Sequence, residues 1–188
     1  RISYLCGLGN PGSVYYNTRH NLGFDLLDIL ARRMGIDWKN LENRAEVVTG
    51  HISGNRVLMF KPMTYVNLTG EAFELFPGLT ESNLLVICDD INLDLGNIRI
   101  RGSGGSGGHR GLESIQSYFG SRDYPRLRMG IGPPPGPDRW KEFVLAEFTL
   151  KEREIVEDML HEAAEAVETI IAGGINAGMQ KFNRRNID

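Results

Sequence analysis

The chain has 188 residues, 41% hydrophobic and 24% charged, with a formal net charge of −3. This balance fits one globular unit with a substantial core and excludes a disordered or fibrous chain. No apolar run approaches the ~20 residues that cross a bilayer, and the start lacks a basic n-region with an apolar h-region, so neither a membrane anchor nor a secretory leader is expected and the cytoplasm is the expected compartment.

In chain order, strand-like and helix-like periodicities alternate. A strand is expected over 2–8, running into Gly7-Leu-Gly9-Asn-Pro-Gly12. A polar cluster follows, Asn10 and Tyr15 with Thr18-Arg19-His20-Asn21, at the entrance to a helix over 21–34. Strands over 46–52 and 56–60 are joined by Ser53-Gly54-Asn55, which reads as a hairpin. A polar stretch from Pro62 to Gly70, with Tyr65 and Asn67, leads into a helix expected over 67–76. The apolar strand over 84–88 ends in Asp89-Asp90. A strand over 97–101 precedes the glycine-rich stretch Gly102 to Gly111, a helix over 110–119 and a strand over 127–131. After the proline-rich loop 132–137 comes a strong helical pattern over 151–172, with Ile155, Met159, Val167 and Ile171 near one face. A short final helix is expected after Gly173-Gly174. The fold expected is a single α/β domain over 1–188, a mixed, partly parallel sheet flanked by helices.

Charge is unevenly spread. Residues 151–172 carry seven acids and two bases, a net −5, which leaves the rest of the chain at +2. Within 97–128, Arg99, Arg101, Arg110, Arg122, Arg126 and Arg128 face Glu113 and Asp123, a net +4. Such clustering makes either a local phosphate-binding surface on an acidic protein or a solvated face. The two cysteines, Cys6 and Cys88, each close a strand-like run and read as buried, reduced thiols. Without a C-x-x-C pair, and with the four histidines scattered, no metal site is expected.

The glycine motifs are weak signals. Gly7, Gly9 and Gly12 spell a dinucleotide-binding turn, but such a turn needs its third glycine in the first turn of a helix. Here Pro11 precedes Gly12 and helical periodicity begins only near Asn21. Gly102, Gly104 and Gly107 repeat the spelling, and Gly104-Gly-Ser106-Gly-Gly108 matches the elbow of serine hydrolases. Two glycines after Ser106 loosen that turn, and no convincing Asp-then-His pair follows, since Asp158 and His161 lie on the acidic helix. A hinge or gate is the simpler reading.

Three polar segments, around Asn10–Asn21, Tyr65–Asn67 and Asp89-Asp90, each leave the carboxyl end of an apolar strand, where open α/β sheets bind ligands. His20 held by Asp89 or Asp90 would make a general base near neutral pH, because the carboxylate sets the tautomer and stabilises the imidazolium. Neighbouring strand residues point to opposite faces, so only one of the two acids can serve. Asn10 and Asn67 offer amides to a carbonyl or a ribose. His51 and His161 read as structural or solvated.

On these residues the chain resembles bacterial-type peptidyl-tRNA hydrolase. The resemblance rests on Gly-Leu-Gly-Asn10-Pro-Gly with Thr-Arg-His20-Asn, on Lys61-Pro-x-Thr-Tyr-x-Asn67-x-x-Gly70, and on Asp89-Asp90 followed by Leu93-x-Leu-Gly96. Gly107-Gly-His109-x-Gly-Leu112 and Arg126-Leu-Arg128-x-Gly-Ile-Gly132 extend it, in order from residue 2 to about 185. It implies a metal-free, cofactor-free esterase that cleaves the ester between a peptide's carboxyl end and the 3′-terminal ribose of peptidyl-tRNA, rescuing tRNA from aborted translation. It implies a twisted mixed sheet and a monomer. Under the resemblance His20 activates water, Asp89 supports it, and Asn10 discriminates blocked from free aminoacyl groups. Tyr15, Tyr65 and Asn67 position the peptide and terminal nucleotide, His109 lies on the gate of the cleft, and Arg101 and Arg128 face the tRNA backbone. The residue after the gate histidine is commonly Asn in that family, where it contacts the tRNA end; here it is Arg110, which would hold a phosphate or merely extend the basic face. The alternatives are an RNA-binding protein on this fold without hydrolase activity, against which the His20–Asp89 pair argues, and a serine esterase using Ser106.

Overall fold

The computed structural model describes residues 1–183; positions 184–188 of the expected domain lie outside the described residues. Seven strands form one sheet: β1 (Tyr4–Gly7), β2 (Lys39–Leu41), β3 (Ala45–Ile52), β4 (Asn55–Pro62), β5 (Leu84–Asp94), β6 (Ile98–Arg101) and β7 (Arg126–Gly132). Their order is β2-β3-β4-β1-β5-β7-β6. The central strands β4, β1, β5 and β7 run parallel, and antiparallel β2–β3–β4 and β6–β7 pairs finish the two sides. The sheet is therefore mixed, as expected. The first half of β5, Leu84 to Cys88, is apolar and fully buried, because helices cover both faces.

One face packs against α1 (Leu22–Met34), α4 (Leu150–Gly173) and α5 (Ile175–Phe182). The other carries α2 (Arg110–Phe119) and a 3-10 segment, Val66–Leu75, around Phe60, Phe73, Leu112 and Ile115. The approach of α1 is unusually close: a Cβ on Gly23 would lie 2.4 Å from both the Ile87 carbonyl oxygen and the Leu8 nitrogen. A Cβ on Gly7 would lie 2.5 Å from the Gly23 oxygen. The first glycine of the opening motif thus serves helix packing, and bulk there would push the start of α1 off the strand ends.

The structure departs from expectation in five places. The segment expected as a helix over 67–76 is a 3-10 helix with a kink at Leu68. Local side-chain bonds compete there, since the Thr69 hydroxyl donates to the Val66 carbonyl at 2.7 Å and that of Thr64 to the Leu68 carbonyl at 3.0 Å. Strand β5 runs on to Asp94 through a register shift after Asp90. On α4, Ile155 is 46% exposed, covering the turn at Gly96, and Val156 takes the core position instead. Both β2 and the single-turn helix α3 (Trp140–Val144) are too short to carry a period. Cys6 and Cys88 are free and buried, and burial pushes both thiols well above their usual range. Among the described residues no helix is long and apolar enough to cross a membrane. On the edge strand β6, the Asn183 side chain accepts from the Ile100 N–H and donates to its carbonyl, both at 2.8 Å.

Candidate active site

Because β4, β1, β5 and β7 are parallel neighbours, the segments at their carboxyl ends lie side by side in that order. The segment after β4 carries Tyr65 and Asn67, and that after β1 carries Asn10, Tyr15 and His20. Strand β5 itself supplies Asp89, and the chain after β7 supplies the proline-rich loop and Trp140.

His20 sits in a one-turn 3-10 segment (Arg19–Asn21) leading into α1. Its Nδ1 lies 2.9 Å and 3.0 Å from the two carboxylate oxygens of Asp89, which is 2% exposed. The acid next to it, Asp90, turns away to Arg128 at 3.2 Å. Strand alternation therefore places Asp89, not Asp90, on His20. Asp89 also accepts from His109 Nε2 at 3.0 Å, and the two imidazole rings stand 4.8 Å apart. The tautomers follow from the partners. Gly111 N–H donates to His109 Nδ1 at 3.0 Å, capping α2, so the neutral ring carries its proton on Nε2 and gives it to Asp89. A neutral His20 gives its Nδ1 proton to the same carboxylate, which leaves Nε2 free as a base. Burial works to lower the His20 pKa, but the charge and hydrogen bond of Asp89 raise it above the ordinary histidine value. Burial likewise opposes ionisation of Asp89, yet the two histidines hold it below the ordinary carboxylate range.

The backbone of Asn10 is clamped by Asn21: its N–H donates to Asn21 Oδ1 at 2.9 Å, and Asn21 Nδ2 donates to its carbonyl at 3.0 Å. Asn10 Oδ1 in turn accepts from Val66 N–H at 2.8 Å. A backbone donor on that oxygen fixes the amide's sense, so Asn10 turns only its NH₂ toward other groups. Tyr15 and Tyr65 pack edge to face, centroids 6.3 Å apart, and Tyr65 holds a left-handed backbone (φ 66) that a non-glycine residue adopts only under constraint. Asn67 is exposed beside them.

A cleft of about 450 Å³ opens over His20 and Asp89, walled by the 106–110 segment and by Pro134, Pro137 and Trp140. A larger groove, about 1160 Å³ between α1 and α4, contains neither His20 nor Asp89. The six arginines separate. Arg126 is fully buried and donates to the carbonyls of Gly105, Arg122 and Tyr124, so it is a structural residue. Arg128 lines the cleft beside Asp90, whereas Arg101 is exposed on β6 and does not. The Arg110 guanidinium stands 5.7 Å from the Trp140 ring centroid. Ser106 Oγ accepts from Gly108 N–H at 3.2 Å, with no base bonded to it among the described residues.

His20, Asp89 and His109 bring three ligand-type atoms within 4.8 Å of one another. A metal on His109 Nε2 would have to displace the proton that the Gly111 cap keeps there, so the arrangement suits proton traffic. Sequence reasoning gave no role to three residues, Arg19 and Asn21 of the polar cluster and Trp140. Arg19 reaches the carbonyls of Phe143, Ala146 and Glu147 at 3.2–3.3 Å and Glu152 at 2.9 Å. Asn21 clamps Asn10, and its place beside His20 was the available signal. Trp140 carried none, because nothing in a one-turn helix ties it to a gate 30 residues upstream.

Residues 4–188 match the model of the peptidyl-tRNA hydrolase family. A peptidyl-tRNA hydrolase of Syntrophomonas wolfei is 45% identical, over 97% of this chain and 100% of that relative. One of Carboxydothermus hydrogenoformans is 47% identical, over 96% and 97%. A crystal structure of peptidyl-tRNA hydrolase from Acinetobacter baumannii superposes with a TM-score of 0.90 at 34% identity, covering 97% of this chain and 94% of that one.

Proposed function

From the chain's membership of the peptidyl-tRNA hydrolase family we propose how its own residues hydrolyse the ester of peptidyl-tRNA. The observation that carries the reading is a buried His20 whose Nδ1 is committed to Asp89 and whose Nε2 has no hydrogen-bond partner among the described residues. Nε2 takes a proton from water as the water oxygen adds to the ester carbonyl carbon. The tetrahedral intermediate then breaks its bond to the ribose oxygen, and the His20 imidazolium returns the proton to that oxygen. The products are free tRNA and an N-blocked peptide. Asp89 stays ionised throughout, stabilising the imidazolium. No step uses a cofactor or a metal.

Asn10 supplies selectivity. Its amide offers donors only, so it meets the acyl carbonyl of a blocked amino group and finds no partner in a free α-ammonium, which is itself a donor. Tyr15, Tyr65 and Asn67 flank the peptide, His109 gates the cleft, and Arg101 contacts the tRNA backbone. The protein works as a cytoplasmic monomer with peptidyl-tRNA as its partner.

The test is hydrolysis of N-acetyl-aminoacyl-tRNA beside its unblocked counterpart, with chelator present. The blocked ester alone should turn over, and His20→Ala should lose about 10²–10⁴-fold in rate while still binding tRNA. Near-full activity in that variant would remove His20 from the mechanism.

A further inference from the structure

The turn that bears His20 is a single turn of 3-10 helix, Arg19–Asn21. Three residues complete such a turn, so its three side chains leave in three directions about 120° apart. His20 goes to Asp89 on β5, and Asn21 goes to Asn10. Arg19 goes to the chain between α3 and α4. Its Nη1 donates to the carbonyls of Phe143, Ala146 and Glu147 at 3.2–3.3 Å, and its Nη2 donates to Glu152 at 2.9 Å. The guanidinium carbon lies 4.2 Å from the Phe143 ring centroid and 5.3 Å from that of Phe148. Arg19 is 6% exposed, and its Nε is buried without a partner among the described residues.

A buried guanidinium with one N–H unpaired is a costly way to join two pieces of chain. The backbone already joins these two, through a Thr18–Glu147 bridge and the Arg19 N–H on the Ala146 carbonyl at 3.0 Å. What the side chain adds is direction, because a rigid planar fork of donors accepts few placements of the carbonyls before it. The piece so fixed begins in α3, whose Trp140 and Val144 line the cleft, whereas Arg19 itself does not. We propose that Arg19 is a positioning residue of the hydrolysis: it sets where the α3 wall of the cleft stands relative to His20. Base and wall are then one body, and the reacting ester is held between parts whose separation a single guanidinium fixes. This rests on the hydrolase reading above and deepens it at the same site. A misplacement of about 1 Å in a reacting geometry can cost on the order of 10²-fold in rate, so the fork has a kinetic effect to exert without touching substrate.

Arg19→Lys keeps a charge facing Glu152 but replaces the planar fork with a point charge. The backbone bridge remains, and urea unfolding defines conditions in which the variants and the parent are folded. There, Arg19→Lys should lower kcat for N-acetyl-aminoacyl-tRNA roughly ten-fold or more, with KM little changed. Phe143→Leu loosens the same joint from the wall side and leaves every hydrogen bond of Arg19 in place. It should lower kcat by a smaller factor, and it carries the test by itself if Arg19→Lys does not fold. The double variant should lose no more than Arg19→Lys alone, because both changes act through one placement. The acidic limb of the kcat–pH profile should stay where it is in the parent, since the His20 shift comes from burial and Asp89. An unchanged kcat in the folded variants, whatever KM does, would make Arg19 a purely structural residue and overturn the proposal. So would losses that multiply in the double variant, or a limb that moves in Arg19→Lys. A fully active His20→Ala would instead overturn the hydrolase mechanism and leave the Arg19 result standing.

Discussion

At the scale of single residues, Asp89 is an acceptor shared by two histidines, and the sharing decides how the site answers pH. His20 is a base only when neutral, and its folded pKa lies above the ordinary value because Asp89 outweighs burial. Activity should therefore rise with pH through a midpoint above about 6.5. Asp89→Asn leaves burial, which lowers the pKa, and removes what raises it. The acidic limb of the kcat–pH profile should move to lower pH while kcat falls about 10²-fold or more, since the tautomer is no longer held. An unmoved limb would mean that Asp89 does not face His20 in solution. The choice of Asp89 over Asp90 was half legible: strand alternation demands that one face inward, but only the fold shows Arg128 waiting for Asp90. That pairing also divides two arginines that a count of charges treats alike. Replacing Arg101 with Ser should weaken tRNA binding and reduce its salt slope by roughly 0.7–0.9, sparing cleavage of a short nucleotide ester. Arg128→Ser leaves Asp90 unpaired at the cleft and should impair both substrates.

At the scale of elements, α4 reaches the turn that bears His20 through the Glu152 carboxylate. Glu152 closes the capping box with Thr149 and also holds the Arg19 guanidinium at 2.9 Å, so the helix start and the 3-10 turn bearing His20 are joined. Glu152→Ala removes a cap and strands a buried arginine, a loss of about 2–4 kcal/mol measurable by urea unfolding. Glu152→Gln keeps the capping geometry and should cost distinctly less; equal losses would show that the Arg19 charge is not felt. The long α4 was readable from its period, though Ile155 was assigned the wrong face because a covering contact on the Gly96 turn resembles a core position in one dimension. The 3-10 segment was misread for the opposite reason. Its spacing is helical, but Thr64 and Thr69 spend their hydroxyls on nearby carbonyls.

At the scale of the whole molecule, the order of four parallel strands sets which polar segments become neighbours, and this is what a linear reading reaches least well. The resemblance brought the motifs to one site in advance, yet which polar segment adjoins which comes only from the order β4-β1-β5-β7. The far side of the sheet has its own consequence. Strand β6 is an edge, and its Ile100 amide and carbonyl are occupied by the Asn183 side chain, which imitates one rung of a further strand. An edge left open is a template on which another chain can add. Asn183 thus acts as a stopper against growth of the sheet from one copy into the next, set at the border where the basic face begins. Asn183→Ala should leave turnover at low protein concentration unchanged but promote concentration-dependent self-association on warming, visible in light scattering. Scattering identical to that of the parent protein would mean that the charges of Arg99 and Arg101 guard the edge by repulsion alone.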